Sequence, residues 1–214
     1  MAALADRIDE ELRLKLSPIG FEPVRARRWV SGTIAPIRKI FEFQAMKGGW
    51  YSARWGFSLD FVPVVRNGRL RRKRTSKSVE FDLCIDPIDE IGIAPDWCSF
   101  VEIATLKEVD ASHLIRVVRA ATRATHDDFA RVNSVGDVVT VFHERASMAF
   151  RRFSLENYVQ THIAWGLCLL AVGKRAEGEE HIRLFCEKNG INRNDPLIHK
   201  AESELARDDA MSSC

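Results

Sequence analysis

The chain has little of what would announce a chemistry. Its five cysteines, Cys84, Cys98, Cys168, Cys186 and Cys214, are odd in number, and no two form a C-x-x-C pair. That speaks against the disulfide framework of small secreted domains. None of the six histidines forms an H-x-x-x-H pair. The nearest mixed sets, His162 with Cys168 and His181 with Cys186, lack the short ligand spacing of structural zinc sites, so no metal is expected. G-x-S-x-G, Walker and G-x-G-x-x-G motifs are all missing, and Gly48-Gly49 reads as a hairpin turn rather than a phosphate cradle. No catalytic residue and no cofactor is assigned. The longest apolar run, Ile163 to Val172, is about half of the ~20 residues a bilayer requires, which leaves no membrane partner. The start, MAALADRIDEELRLKL, is acidic where a secretory signal is basic and lacks an apolar run with a cleavage site. A reducing, cytoplasmic location is the expectation.

An excess of charge is also missing. Lys and Arg total 32 against 30 Asp and Glu, a net charge of +2, so the field of the whole molecule does not select a polyanion. Its distribution is uneven. The stretch VRNGRLRRKRTSKS holds Arg66, Arg69, Arg71, Arg72, Lys73, Arg74 and Lys77 with no acidic residue, leaving 25 basic against 30 acidic side chains elsewhere. Any attraction to phosphate or carboxylate must therefore be local.

What is present is a fold pattern. Leu4, Ile8, Leu12 and Leu16 recur every four residues, an amphipathic helix stopped at Ser17-Pro18 and Gly20. Residues 21–30, 37–46, 50–65 and 78–85 then read as four strands bounded by Gly, Pro or Asn signals. In the last two, Trp55, Phe57, Leu59 and Phe61, and Val79, Phe81, Leu83 and Ile85, alternate with polar or small residues, the period of a half-buried sheet. Pro63 marks an edge or an end of pairing. From Asp110 a long helix carries the stripe Leu114, Val118, Ala121, Thr125 and Phe129, capped by Asp110 or Ser112, with Arg116, Arg119 and Arg123 on another face. Helices follow to about Phe153, over 155–172, over 176–188 and over 196–206, the last with Asp195 as cap and Pro196 at its first position. The expectation is an α+β protein: an antiparallel sheet of about four strands with helices on one face in residues 1–133, and a helical-hairpin subdomain in residues 134–214.

The N-terminal helix, the motif G-F-x-P-x-R-x-R-R-W from Gly20 to Trp29, and an aromatic-rich meander ending in E-F-D-L-C-I from Glu80 to Ile85 together resemble the bacterial family called domain of unknown function 4304. The resemblance spans roughly residues 4–130. It implies a fold and no chemistry, since that family has no assigned activity. Trp165 to Phe185 resembles one degenerate tetratricopeptide-type hairpin, with Gly166 for close approach, Leu169 inward, Gly173 at the turn, and Gly178, Ile182 and Phe185 on the second helix. A single such unit needs neighbouring helices to cover its face, so it reads as a helical cap.

Three features could carry function. Glu42, Asp60, Glu80 and Asp82 would share the polar face of the sheet if Phe41 and Phe43 share the buried one, a setting for acid/base or divalent-ion chemistry. Polar-out alternation, or neutralisation by Arg38, Arg54, Arg116, Arg119 and Arg123, explains the same residues without chemistry. Trp50 and Tyr51 flank the Gly-Gly turn, where an aromatic can anchor a protein interface or simply belong to the core. The seven cations of residues 66–77 read as a long loop between paired strands, with Asn67-Gly68 a turn signal at its start. Without interleaved aromatics such a loop could hold phosphates but not stack on bases. A solvated hairpin tip, an acidic protein partner and sequence-tolerant nucleic acid are all open. The leading reading is a non-enzymatic bacterial cytoplasmic protein-binding accessory of immunity, defence or regulation. The alternatives are a nucleic-acid-binding accessory using the basic loop and an enzyme centred on the acidic strand face.

Overall fold

The computed structural model describes residues 4–25, 27–31, 36–45, 50–72, 79–85, 101–102, 108–147 and 161–212. Helix α1 spans Leu4–Leu16 and ends in a 3₁₀ turn, Ser17–Ile19, closed by Gly20 in the left-handed conformation. The strands are β1 Phe21–Arg25, β2 Arg28–Ser31, β3 Ile37–Ala45, β4 Trp50–Leu59, β5 Val64–Arg66, β6 Arg69–Arg71, β7 Leu83–Ile85 and β8 Val101–Glu102. The remaining helices are α2 Glu108–Ala130, α3 Val135–Ser147, α4 Thr161–Ala171, α5 Arg175–Asn189 and α6 Pro196–Ser212. An antiparallel sheet of strand order β1-β2-β3-β4-β7, with β8 added on β4, accompanies these helices in an α+β fold with a helical C-terminal part. No described helix is long and apolar enough to cross a membrane.

Several strands are shorter than their sequence pattern. Residues 21–30 form two antiparallel strands, not one, because Arg27 adopts a φ of 55° and folds β2 back on β1. The run 50–65 breaks after Leu59 into a turn containing Pro63, whose ring leaves no N–H for a ladder. Among the described residues of the run 78–85, Leu83–Ile85 form the strand. Helix α2 begins at Glu108, ahead of the expected caps Asp110 and Ser112. Residues 148–160 lie outside the description, and with them the ends expected near Phe153 and Leu155.

The chain divides into two compact units. One comprises Met1–Ile34, Arg38–Phe57 and Cys84–Arg131; the other comprises Ala35–Ile37, Ser58–Leu83 and Val132–Cys214. In the first, α1 packs on α2 through their apolar stripes, with Ile8, Leu12, Leu16, Val117, Val118 and Ala121 buried. At the edge of that contact Arg119 Nε and Nη2 donate to the two Glu11 carboxylate oxygens at 2.6 and 3.0 Å. Phe129 ends the α2 stripe between Phe21 and Phe57, its ring centroid 5.6 and 5.5 Å from theirs. Two polar bonds fix this end of the helix: Trp55 Nε1 donates to Asp128 Oδ2 at 2.8 Å, and Lys39 Nζ donates to the Phe129 carbonyl at 2.8 Å. An ammonium on a terminal carbonyl also complements the helix dipole.

In the second unit, Ser134 and Asp137 cap α3 reciprocally: the Asp137 N–H donates to Ser134 Oγ at 3.2 Å, and the Ser134 N–H donates to Asp137 Oδ2 at 2.9 Å. Helix α4 packs on α3, α5 and α6. It forms a tight hairpin with α5. A Cβ on Gly166 would lie 2.8 Å from the Gly178 carbonyl oxygen, and one on Gly178 would lie 2.8 Å from that of Gly166. Only glycine at both positions permits this approach. Asp195 Oδ1 accepts the Leu197 N–H at 2.9 Å to cap α6, and Arg193 joins Glu179 of α5 to Glu202 of α6 at 2.7 Å each.

Candidate functional site

The basic stretch is more structured than a long loop. Asn67 and Gly68, with φ of 53° and 71°, make a two-residue turn between β5 and β6, the left-handed pair that matches strand twist. The register is Val64 with Arg71, Val65 with Leu70 and Arg66 with Arg69. Directly opposed residues of an antiparallel pair point to the same side, and alternate positions share it. Arg66, Arg69 and Arg71 therefore occupy one face of the hairpin. Leu70 is buried on the opposite face, and Val64, opposite Arg71, is buried at the far end of the arginine face; all three arginines are themselves exposed.

Two carboxylates already touch this group of cations. Arg66 is paired with Glu80, and Arg72 Nη2 lies 2.9 Å from Glu204 Oε1. All four side chains are at least a third exposed. Such surface pairs contribute at most about 1 kcal/mol and exchange readily with another anion. Arg69 and Arg71 make no ion pair among the described residues. Lys73, Arg74 and Lys77 lie outside the described residues.

The acidic strand face is not assembled as the alternation suggested. Glu42 is buried on β3 beside Arg28 of β2, and Arg28 Nε and Nη2 donate to its two oxygens at 3.0 Å each. Arg54 Nε of β4 donates to Glu42 Oε2 at 2.6 Å. Burial pushes the Glu42 carboxyl up, and Arg28 and Arg54 more than reverse this, holding it below the ordinary carboxylate value. Asp82 is also buried and accepts the Leu59 N–H at 2.7 Å. Glu80 is committed to Arg66, and Asp60 sits half-exposed in the turn after β4. Each of the first three carboxylates thus has its own partner. Arg54 acts as foreseen, whereas Arg28, the dominant partner of Glu42, was missed because cross-strand register is invisible in the sequence.

Trp50 and Tyr51 belong to β4, where their backbones pair with Glu102 and Val101 of β8. Their side chains fall outside the described residues.

A second cluster lies in the helical unit and was not foreseen. His162 Nδ1 of α4 is 2.9 Å from His181 Nδ1 of α5. Trp165 stacks on His181 at 4.2 Å and on Phe142 of α3 at 5.4 Å, and His143 stands edge-on to it at 5.4 Å. The indole N–H of Trp165 is buried and finds no acceptor among the described residues. Burial is the main cause, with the charge of His162 second, that lowers the His181 imidazole from 6.5 to about 4. A signal existed in the sequence: His162 with His181 and Gly166 with Gly178 are nearly symmetric about Val172, where the turn begins.

Cys168 and Cys186 are buried, and burial, followed by the charge of Asp82, raises Cys168 well above the ordinary thiol value. Among the described residues, no group of three or more His, Cys, Asp and Glu could hold a metal ion.

Comparison with known proteins found no matching family model, no matching curated protein and no matching solved structure.

Proposed function

We propose that this chain is a non-enzymatic cytoplasmic protein-binding accessory that docks on an acidic surface of another protein through the arginine face of the β5–β6 hairpin. The observation that carries the reading is the register: a two-residue turn and a buried Leu70 hold Arg66, Arg69 and Arg71 on one exposed face. Guanidinium groups presented on a rigid ribbon lose less freedom on binding than the same groups on a long loop. A carboxylate partner is favoured over a phosphate backbone because Glu80 and Glu204 already sit on Arg66 and Arg72. They offset half of the charge of Arg66, Arg69, Arg71 and Arg72, whereas a nucleic-acid groove gains from uninterrupted positive charge. The enzyme alternative has lost its motive, since Glu42, Glu80 and Asp82 each have a structural partner. A bacterial accessory in immunity, defence or regulation is the setting proposed for this docking role.

The test is purification of the full chain beside its Arg69→Glu/Arg71→Glu variant. One stoichiometric protein partner with the wild type, lost with the variant at unchanged thermal midpoint, supports the reading. Duplex DNA binding tighter than about 10 μM at physiological salt, beyond ordinary non-specific affinity, would replace it with the nucleic-acid alternative if the variant abolishes that binding.

A further inference from the structure

The His162–His181 contact is a hydrogen bond with a specific proton requirement. The ring centroids are 5.2 Å apart and the planes are inclined by 27°. The facing nitrogens are 2.9 Å apart. The difference between the two distances is about the sum of the two ring radii, which is possible only if the rings meet end to end through Nδ1 rather than face to face. Each Nδ1 thus lies on the in-plane axis of its own ring and points at the other.

An imidazole nitrogen accepts only when it carries no proton. With both rings neutral, one Nδ1–H tautomer faces one bare Nδ1 and the bond forms. With one ring charged, its Nδ1–H faces the bare nitrogen of the other, and the charge strengthens the bond. With both charged, two N–H groups meet, and attraction becomes repulsion between like charges. The contact survives the first added proton and fails at the second.

The surroundings allow little relief. Close to this pair along the hairpin, a Cβ on Gly166 would lie 2.7 Å from Ile182 Cγ1 and 2.8 Å from the Gly178 carbonyl. The helices are thus held at backbone contact beside the pair. His181 also supports Trp165, and Trp165 stacks on Phe142, which links the hairpin to α3. The charges felt by His181 come from His162 of α4, Glu177 and Glu180 of α5, and His143 of α3; α6 contributes none among the described residues. His143 Nε2 is itself 3.4 Å from Lys174 Nζ. The two glutamates favour the charged imidazole, and the two histidines oppose it.

We propose that His162 and His181 form a proton-operated latch between α4 and α5, closed while the pair carries at most one extra proton and released when both rings are charged, which loosens the Trp165–Phe142 stack on α3. The low value of about 4 for His181 agrees with this geometry. An unfolded chain protonates that ring near 6.5, so between these values the unfolded state binds more protons and stability falls as pH falls. Above 6.5 the latch costs nothing, and below about 4 its full cost is present.

The test is ¹⁵N NMR of the imidazole nitrogens in the full chain from pH 7.5 to 3.5, together with thermal denaturation over the same range. At pH 7.5 one of the facing Nδ1 atoms should carry a proton and the other none, and His181 should remain neutral at pH 5.5. His181→Asn places an amide oxygen near the position of Nδ1, so it can accept the bond without taking up a proton. Relative to wild type, its thermal midpoint should be less sensitive to acid by roughly 3–6 °C between pH 6.5 and 4.5, at about 2–4 °C per kcal/mol for a chain of this size. If that variant does not fold, the wild-type NMR decides the matter, since it needs no variant. Titration of His181 near 6.5, or two protonated Nδ1 atoms at pH 7.5, overturns the latch, as does an Asn variant that keeps the wild-type acid sensitivity.

Discussion

Arg28 and Glu42, fourteen residues apart, face each other across β2 and β3 and are joined by two parallel N–H···O bonds of 3.0 Å. Both are buried, and Arg54 supplies a further bond to the same carboxylate. Two-point geometry satisfies both oxygens and so offsets the cost of taking the charges out of water. Removing Glu42 takes from the buried Arg28 the carboxylate that accepts two of its N–H bonds. Glu42→Ala is expected to cost about 3–5 kcal/mol in denaturant unfolding. A loss below about 1 kcal/mol would mean that water replaces the carboxylate.

The same pair has a pH signature. Its folded carboxyl lies below the ordinary 4.5, so its stabilisation is complete above that value and disappears as pH falls through the lower folded value. This window begins near 4.5, at the acid end of that of the His181 ring, which acts between 6.5 and about 4. Acid unfolding of Glu42→Gln should therefore lose sensitivity only below about pH 4.5, in keeping with linkage. Lost sensitivity near pH 6 would assign the effect to another group.

Gly166→Ala and Gly178→Ala should each destabilise the helical unit despite the better helix propensity of alanine. Each new methyl would meet a carbonyl oxygen 2.8 Å away, and backbone cannot step aside as a side chain can. Overpacking of this kind costs about 1–3 kcal/mol, more than the ~1 kcal/mol that propensity returns. Calorimetry showing a raised midpoint for either variant would contradict the close approach.

Leu83→Ala should cost about 2–5 kcal/mol, because Leu83 is 2% exposed on β7 and its loss leaves a cavity. An effect under half a kcal/mol in urea unfolding would place that side chain at the surface.

On the hairpin, Arg69→Ser with Arg71→Ser should leave stability within about 0.5 kcal/mol, since both side chains are exposed. Should the wild type bind duplex DNA at all, three phosphate contacts from Arg66, Arg69 and Arg71 predict a salt slope near −3, at about −0.9 per contact. A slope near −6 would require the further cations of residues 73–77 and would favour the nucleic-acid reading.

Much of the secondary structure was legible because it depends on local periodicity. The four-residue spacing of Leu4 to Leu16, the Asp195-Pro196 start and the Gly173 turn each act within a few residues. Strand lengths were less legible. The alternation in residues 50–65 and 78–85 continues through positions where Pro63 and the turn after Leu59 end the ladder. Alternation records which side of an extended chain is apolar, not whether a neighbouring strand is there to pair with it.

The candidate sites divide along the same line. The sequence alone determined an α+β chain without a local catalytic motif, with its surplus cations gathered in residues 66–77 and an Asn67-Gly68 turn among them. Charge counts and turn chemistry are properties of adjacent residues, and no later packing alters them. Tertiary structure decided the rest: which face Arg66, Arg69 and Arg71 share, that Glu42 belongs to Arg28 rather than to a carboxylate cluster, and that His162 meets His181. These depend on strand register and on the separation of two helices. Both are set by the burial of many apolar side chains at once, and a shift of one residue in a strand would turn Glu42, or Arg66, Arg69 and Arg71, to the opposite face.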